Sequence, residues 1–162
     1  MPRVQSIYIA PNAGLAMTSQ ERVNVLAGKG IAGDRYASGL GAFSRSEAQK
    51  IRDISLITRD GIDAANHLLT TAGLARYLDG ETRRNIVLEG MSMDLLNLLV
   101  GKEFYLGGLR FRATELCVPC GRPSKLTHKS NFEEVFSNKG GIRAKALDSG
   151  RISCGDLFTC LD

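Results

Sequence analysis

Residues 103–116 read EFYLGGLRFRATEL, two short runs of β-forming residues separated by a pair of glycines. Each run is rich in Leu, Phe and Tyr, as a half-buried strand requires. Glycine accepts the positive φ of a tight turn, so Gly107 and Gly108 predict a hairpin that makes the two runs antiparallel neighbours. The stretch LDSGRIS, residues 147–153, predicts a second turn of the same kind.

The same signature recurs along the chain. RVQSIYIA from Arg3, RVNVLA from Arg22, DISLIT from Asp53, NIVLEG from Asn85, GIRAKAL from Gly141 and RISCGDLFTCL from Arg151 complete a set of eight β segments bounded by Gly, Asp or Asn. Helices interrupt twice: Arg59 to Thr71, with Ile62, Ala65 and Leu69 on one stripe, and Met93 to Val100, with Ser92 as N-cap and Gly101 as stop. A third, short helix fits Asn131 to Ser137. Strands and helices do not alternate regularly, which predicts a mainly β domain, a closed or partly closed antiparallel β-barrel with two or three helical insertions. At 162 residues, 43% hydrophobic, the chain fits a single domain, residues 1–162.

Composition narrows function. The longest nearly apolar run, Met91 to Val100, contains Ser92, Asp94 and Asn97 and is far shorter than the ~20 residues of a bilayer span. Four cysteines without a leader-like N-terminus do not describe a secreted disulfide scaffold, so a soluble protein of the cytoplasm is expected. The net charge of +4 suits an anionic small ligand, while 6% aromatic residues in no basic-aromatic pattern argue against nucleic acid. GKGIAG, Gly28 to Gly33, satisfies G-x-G-x-x-G, but DRYASGLGAFS follows, with no apolar stripe to build the helix whose N-terminus would face a pyrophosphate. The reading preferred is a loop whose glycines permit unusual backbone angles, with no nucleotide bound.

Chemistry concentrates in ELCVPCGRPSKLTH, residues 115–128. Cys117 and Cys120 stand three positions apart, with Lys125 and His128 just downstream to supply charge or a proton. Zinc would need further ligands from Cys154 or Cys160, which lack C-x2-C spacing. A thioredoxin-type pair needs its first cysteine at a helix N-terminus, whereas Gly121 and Pro123 predict a turn. Cys120 in a charged strand-end loop is a candidate thiolate, against the alternative of a small buried hydrophobe. Cys154 and Cys160, evenly spaced on one predicted strand, should both face the core. Arg83, Arg84 and Asn85 precede an apolar strand and suit bidentate phosphate contact, or a structural pair with Asp34 or Glu89. Asp34 and Arg35 carry the same ambiguity. His67 reads as a packed or solvent-facing helical residue.

The order of these pieces resembles a known family. GIAGDRY (30–36), DISLIT (53–58), RRNIVLEG (83–90), LLNLLVGKEFYLGG (95–108), CVPC (117–120) and GGIRAKALDSGRISCGD (140–156) together resemble the MOSC domain, the module shared with the C-terminal part of molybdenum cofactor sulfurases. The resemblance spans about residues 25–158. It implies a β-barrel with added helices that binds the molybdenum cofactor (molybdopterin), a pterin carrying a phosphate and a dithiolene-held metal. It also implies one cysteine acting as metal ligand or persulfide carrier. Cys120 falls at that position, making it the implied metal ligand, with Cys117 as a candidate resolving thiol. Arg83, Arg84, Asn85, Asp34, Arg35, Lys125 and His128 are the implied cofactor-binding residues. Some relatives carry the metal-binding cysteine within the segment that is here Gly121 to Gly140, which contains none. Stand-alone bacterial relatives include reductases of N-hydroxylated bases and amines, and the family carries an association with pyridoxal phosphate. If this chain is an enzyme, the resemblance implies a molybdenum-cofactor-dependent oxidoreductase or sulfurtransferase-like protein fed by an electron-donor or sulfur-donor protein. The alternatives are a non-catalytic sulfur-carrier module and a zinc-stabilised β domain.

Overall fold

The structure, a computed structural model, describes residues 1–46 and 50–161. In chain order the elements are β1 (Arg3–Ile9), β2 (Thr18–Gln20), β3 (Arg22–Leu26), β4 (Gly30–Ile31), β5 (Ile54–Thr58), α1 (Arg59–Thr71), a 3-10 turn (Asp79–Thr82), β6 (Ile86–Glu89), α2 (Met93–Asn97), β7 (Glu103–Leu106), β8 (Leu109–Leu116), α3 (Arg122–Thr127), α4 (Phe132–Val135), β9 (Ile142–Ala146), β10 (Gly150–Ser153) and β11 (Phe158–Cys160).

The expected hairpin forms. Leu106 faces Leu109, and Gly107 (φ 56°) and Gly108 (φ 81°) both take the positive φ of a two-residue turn. Alternation then sends Phe104, Leu106, Phe111 and Ala113 inward. Phe104 stacks on its cross-strand partner Phe111, with centroids 5.5 Å apart, and on Phe158 of β11 at 5.0 Å. Full burial of each such ring contributes about 1.5–3 kcal/mol.

Eight strands form one strongly curled sheet in the order β11-β7-β8-β9-β5-β6-β1-β2, and β10-β3-β4 form a second, smaller one. One expectation is corrected here. The large sheet is mixed, because β5 and β6 pair in parallel, with Leu56 opposite Ile86. The cause is α1, which carries the chain back over the sheet between them, as a parallel connection demands. Of the two barrel forms expected, the sheet takes the partly closed one, a half-barrel. An isolated bridge between Arg3 and Leu157 brings β1 to the start of β11, and the described residues form no continuous ladder there.

α1 begins where Thr58 Oγ1 accepts from Gly61 N (3.0 Å), and it buries Ile62, Ala65, Asn66 and Leu69 against the sheet. The Asn66 side-chain amide clamps the Tyr77 backbone through both its oxygen (2.8 Å) and its nitrogen (2.9 Å), which fixes the loop after the helix. α2 stops at Asn97, short of the expected Val100, because turns take over. The expected turn after Cys120 is instead α3: Gly121 is its N-cap, and Pro123 lies in its first turn, where the absent N–H has no helical partner to lose.

RISCGDLFTCL is not one strand. Ser153 to Asp156 turn, with Asp156 N donating to Ser153 O at 3.1 Å, and this separates β10 from β11. Even spacing across a turn no longer implies a shared face. Cys154 is half-buried at the core's edge and Cys160 is exposed, which corrects the expectation that both face the core. No helix opens at Gly33. Gly30 lies in β4 against the Asp53 carbonyl, where a Cβ would collide, so the glycine serves close backbone approach. No helix of the described residues is long and apolar enough to cross a membrane.

Candidate functional site

Parallel pairing aligns the starts of β5 and β6, so the residues just before them, Arg52 and the turn Arg83–Asn85, come side by side. β8 runs antiparallel to β9 and ends nearby, delivering Cys117 to Cys120 to the same place. In register across three strands, Glu115, Arg143 and Ser55 share one sheet face. Together these elements wall an open cleft. Arg35, Arg52, Arg83, Arg84, Arg122 and Arg143 line it with Tyr36, Phe43, Cys117 and Cys120, and no carboxylate is among the described lining residues.

Each cation is held differently. Arg35 is buried, and its Nη1 pairs with buried Asp34 Oδ1 at 3.0 Å. That oxygen also accepts from Ala10 N (3.1 Å), while Asp34 Oδ2 is buried without a partner. Arg83 sits in the left-handed region (φ 64°) and donates to the Leu15 carbonyl at 2.6 Å. Burial, and then the charges of Arg35 and Arg122, lower its pKa to about 10. Arg84 donates to Gly140 O (2.6 Å) and Thr82 O (3.3 Å). The Arg52 guanidinium lies over Phe43 (5.1 Å) and Tyr36 (5.8 Å), its Nε buried without a partner. Burial and the neighbouring Arg143 push the Arg52 pKa down. Arg143 pairs with Glu115 at 2.8 Å, and Lys50 holds that carboxylate's other oxygen.

Asn85 is a strand clamp. Its Oδ1 accepts from Ser55 N (3.1 Å) and Ser55 Oγ (3.2 Å), and its Nδ2 donates to Tyr8 O (3.1 Å), tying β1, β5 and β6 together. Cys117 is buried and anchored by its N–H to Gly141 O at 2.8 Å, whereas Cys120 is exposed at the cleft. Gly140 packs on the Cys117 carbonyl, leaving no room for a Cβ.

Of the residues the sequence singles out, the fold gathers Arg35, Arg83, Arg84, Asn85, Cys117 and Cys120 around one cleft. Asp34 lies beneath it as the partner of Arg35. Lys125 and His128 do not line the cleft: α3 carries Lys125 outward, and His128 is its exposed C-cap (φ 56°). Sequence reasoning placed the charge of Arg122 beside Cys120 but missed Arg52 and Arg143. The available signal was a cation directly before DISLIT and another at the third position of GIRAKAL, both beside strand ends already predicted. A second, broader depression shares Arg83 and is lined by Tyr8, Arg59, Asp79 and Glu81. There Arg59 pairs with Asp79 and Asp63, and Glu81 with Lys129.

The model of the MOSC domain matches residues 44–159. The chain belongs to the MOSC domain family. Solved structures agree on the fold. YuaD from Bacillus subtilis is 20% identical with a TM-score of 0.78, over 96% of this chain and 93% of that one. YiiM from Geobacillus stearothermophilus is 14% identical with a TM-score of 0.72, over 100% of this chain and 76% of that one. YiiM from Escherichia coli is 14% identical with a TM-score of 0.69, over 100% and 70%. A comparison with curated proteins finds no match.

The donor set of this MOSC domain discriminates among ligands. The described residues contain no group of three or more His, Cys, Asp or Glu able to hold a metal ion, so the zinc-stabilised alternative lacks a ligand set. The cleft offers guanidiniums and one exposed thiol, a donor set suited to an anionic group.

Proposed function

We propose that this MOSC domain binds the molybdenum cofactor in the arginine-lined cleft and acts through Cys120 in sulfur transfer or in reduction of N-hydroxylated small molecules. The observation that supports this is the convergence of six guanidiniums on an exposed thiol with no lining carboxylate among the described residues. Planar guanidinium forks suit phosphate oxygens, and several crowded cations gain most from a multiply charged anion. Arg35, Arg83, Arg84 and Arg122 would hold the phosphate, with Cys120 facing the metal-bearing end. A soft thiolate suits molybdenum ligation and persulfide chemistry alike. The cofactor, when bound, supplies two-electron redox chemistry at its metal. The chain's residues bind and orient that anion, and Asp34 holds Arg35 in place while Asn85 holds the strand starts. Electrons or sulfur come from a partner protein.

The test is metal analysis of protein purified from a host that makes the cofactor, alongside turnover of an N-hydroxylated base with a supplied electron donor. Molybdenum near one per chain in the wild type, and its loss in an Arg83→Gln/Arg122→Gln double variant, is the expected result. Protein that is folded, free of molybdenum from such a host and inactive would overturn the proposal.

A further inference from the structure

We infer that Cys120 also takes sulfur directly from a small anionic sulfane-sulfur donor of the thiosulfate class, held by the guanidiniums of the cleft. The inference rests on the proposed reading of the cleft as an anion site facing Cys120, and not on the cofactor.

Charge comes first. Among the described residues only Arg35 and Arg143 of the six lining arginines have a carboxylate partner, Asp34 and Glu115. Arg83 and Arg84 donate to backbone carbonyls, and Arg52 keeps a buried Nε without a partner. Arg83 stands close enough to both Arg35 and Arg122 for their charges to repel, as Arg52 does to Arg143. A compact dianion relieves that repulsion, whereas a neutral donor leaves it in place. Access comes second: Cys120 is exposed at the cleft while Cys117 is buried, so a solvent-borne molecule meets Cys120.

The step balances without any outside oxidant or reductant. The Cys120 thiolate attacks the outer sulfur of thiosulfate. A bond forms between Sγ and that sulfur as its bond to the sulfonate sulfur breaks, and the electron pair leaves with sulfite. Cys120 becomes a persulfide, with one sulfite released per sulfur transferred. The leaving group is itself a dianion, so the guanidiniums that bind the donor also stabilise the charge that departs. Cyanide, as a probe acceptor, takes the outer sulfur as thiocyanate and returns the thiolate.

The experiment incubates the full chain with thiosulfate, locates the added sulfur by peptide mass spectrometry, and follows thiocyanate and sulfite in the presence of cyanide. Saturable loading on Cys120 is expected, abolished at least about 100-fold by Cys120→Ser. Arg122→Gln should raise the half-saturating thiosulfate concentration about tenfold, the loss of one charge-assisted contact. Folded protein that never gains sulfur on Cys120, sulfur appearing on Cys154 or Cys160 instead, or an unchanged thiosulfate dependence in Arg122→Gln would each overturn the inference. Molybdenum content of protein from a cofactor-making host separates the two readings. Sulfur loading of folded protein that carries no molybdenum leaves this inference standing and removes the cofactor proposal, and molybdenum without loading does the reverse.

Discussion

Arg35 donates from Nη2 to the backbone carbonyl of Arg83 at 3.4 Å while the two guanidinium charges repel one another. The buried Asp34–Arg35 pair therefore supports the turn that carries Arg83, and that turn holds Arg83 in the left-handed region at φ 64°. Backbone strain of this kind persists where surrounding contacts over-determine it, and here those contacts shape the cleft.

Arg83→Gly and Arg83→Ala both delete the guanidinium, but glycine adopts the left-handed backbone without the Cβ penalty. The glycine variant should be the more stable of the two by about 1 kcal/mol in urea unfolding, with both losing affinity for pyrophosphate as an anion probe. Equal stability of the two variants would sink the strain argument.

Anion binding should weaken at high pH. The Arg83 pKa is lowered to about 10, so the charge is present below that pH and is shed as pH rises through it. Bound anion favours the protonated form, and its affinity must therefore fall over the same window. The stability sign is opposite. The unfolded arginine keeps its proton to higher pH, so the penalty for holding this buried cation is full below about pH 10 and shrinks above it. Calorimetric titration of pyrophosphate across that range checks the first effect, and Arg83→Gln should flatten it.

Asn85→Ala should destabilise the fold by about 2–3 kcal/mol, because it strands a Ser55 N–H and a Tyr8 carbonyl at the junction of β1, β5 and β6. An Asn85 that contacted ligand and did nothing else would show normal melting with reduced binding. The clamp reading predicts a lowered denaturation midpoint in the absence of any ligand.

The cysteines should separate by position. Cys120→Ser is nearly isosteric and exposed, so the protein folds while activity or persulfide loading falls at least ~100-fold. Cys154 packs at the core's edge, and burial, with Glu21 nearby, pushes its thiol pKa up, which disfavours thiolate chemistry there. Cys154→Ala should cost about 1 kcal/mol of packing and keep activity. Full activity in Cys120→Ser would remove the central assignment.

Local pattern carried a large share of this protein. The Gly107–Gly108 hairpin, seven of the eight β segments and the helix from Arg59 to Thr71 were legible, because strand alternation, helix stripes and turn glycines depend on neighbours a few positions away, while the pairing of Arg83–Arg84 with the Cys117–Cys120 loop came from the family resemblance. The site's full charge was not. Arg52 and Arg143 are ordinary flanking residues until parallel β5–β6 pairing and the β8–β9 ladder bring them beside Arg83, Cys120 and the Arg122 that sequence already sets next to Cys120. Lys125 and His128 lie closer to Cys120 in sequence than any of these except Arg122, yet α3 turns them away. Parallel pairing was the decisive contact, and it follows from α1 crossing back over the sheet, a long-range outcome that no window of residues encodes. Sequence by itself determined which side chains could do the chemistry, and only tertiary pairing decided which of them share one cleft.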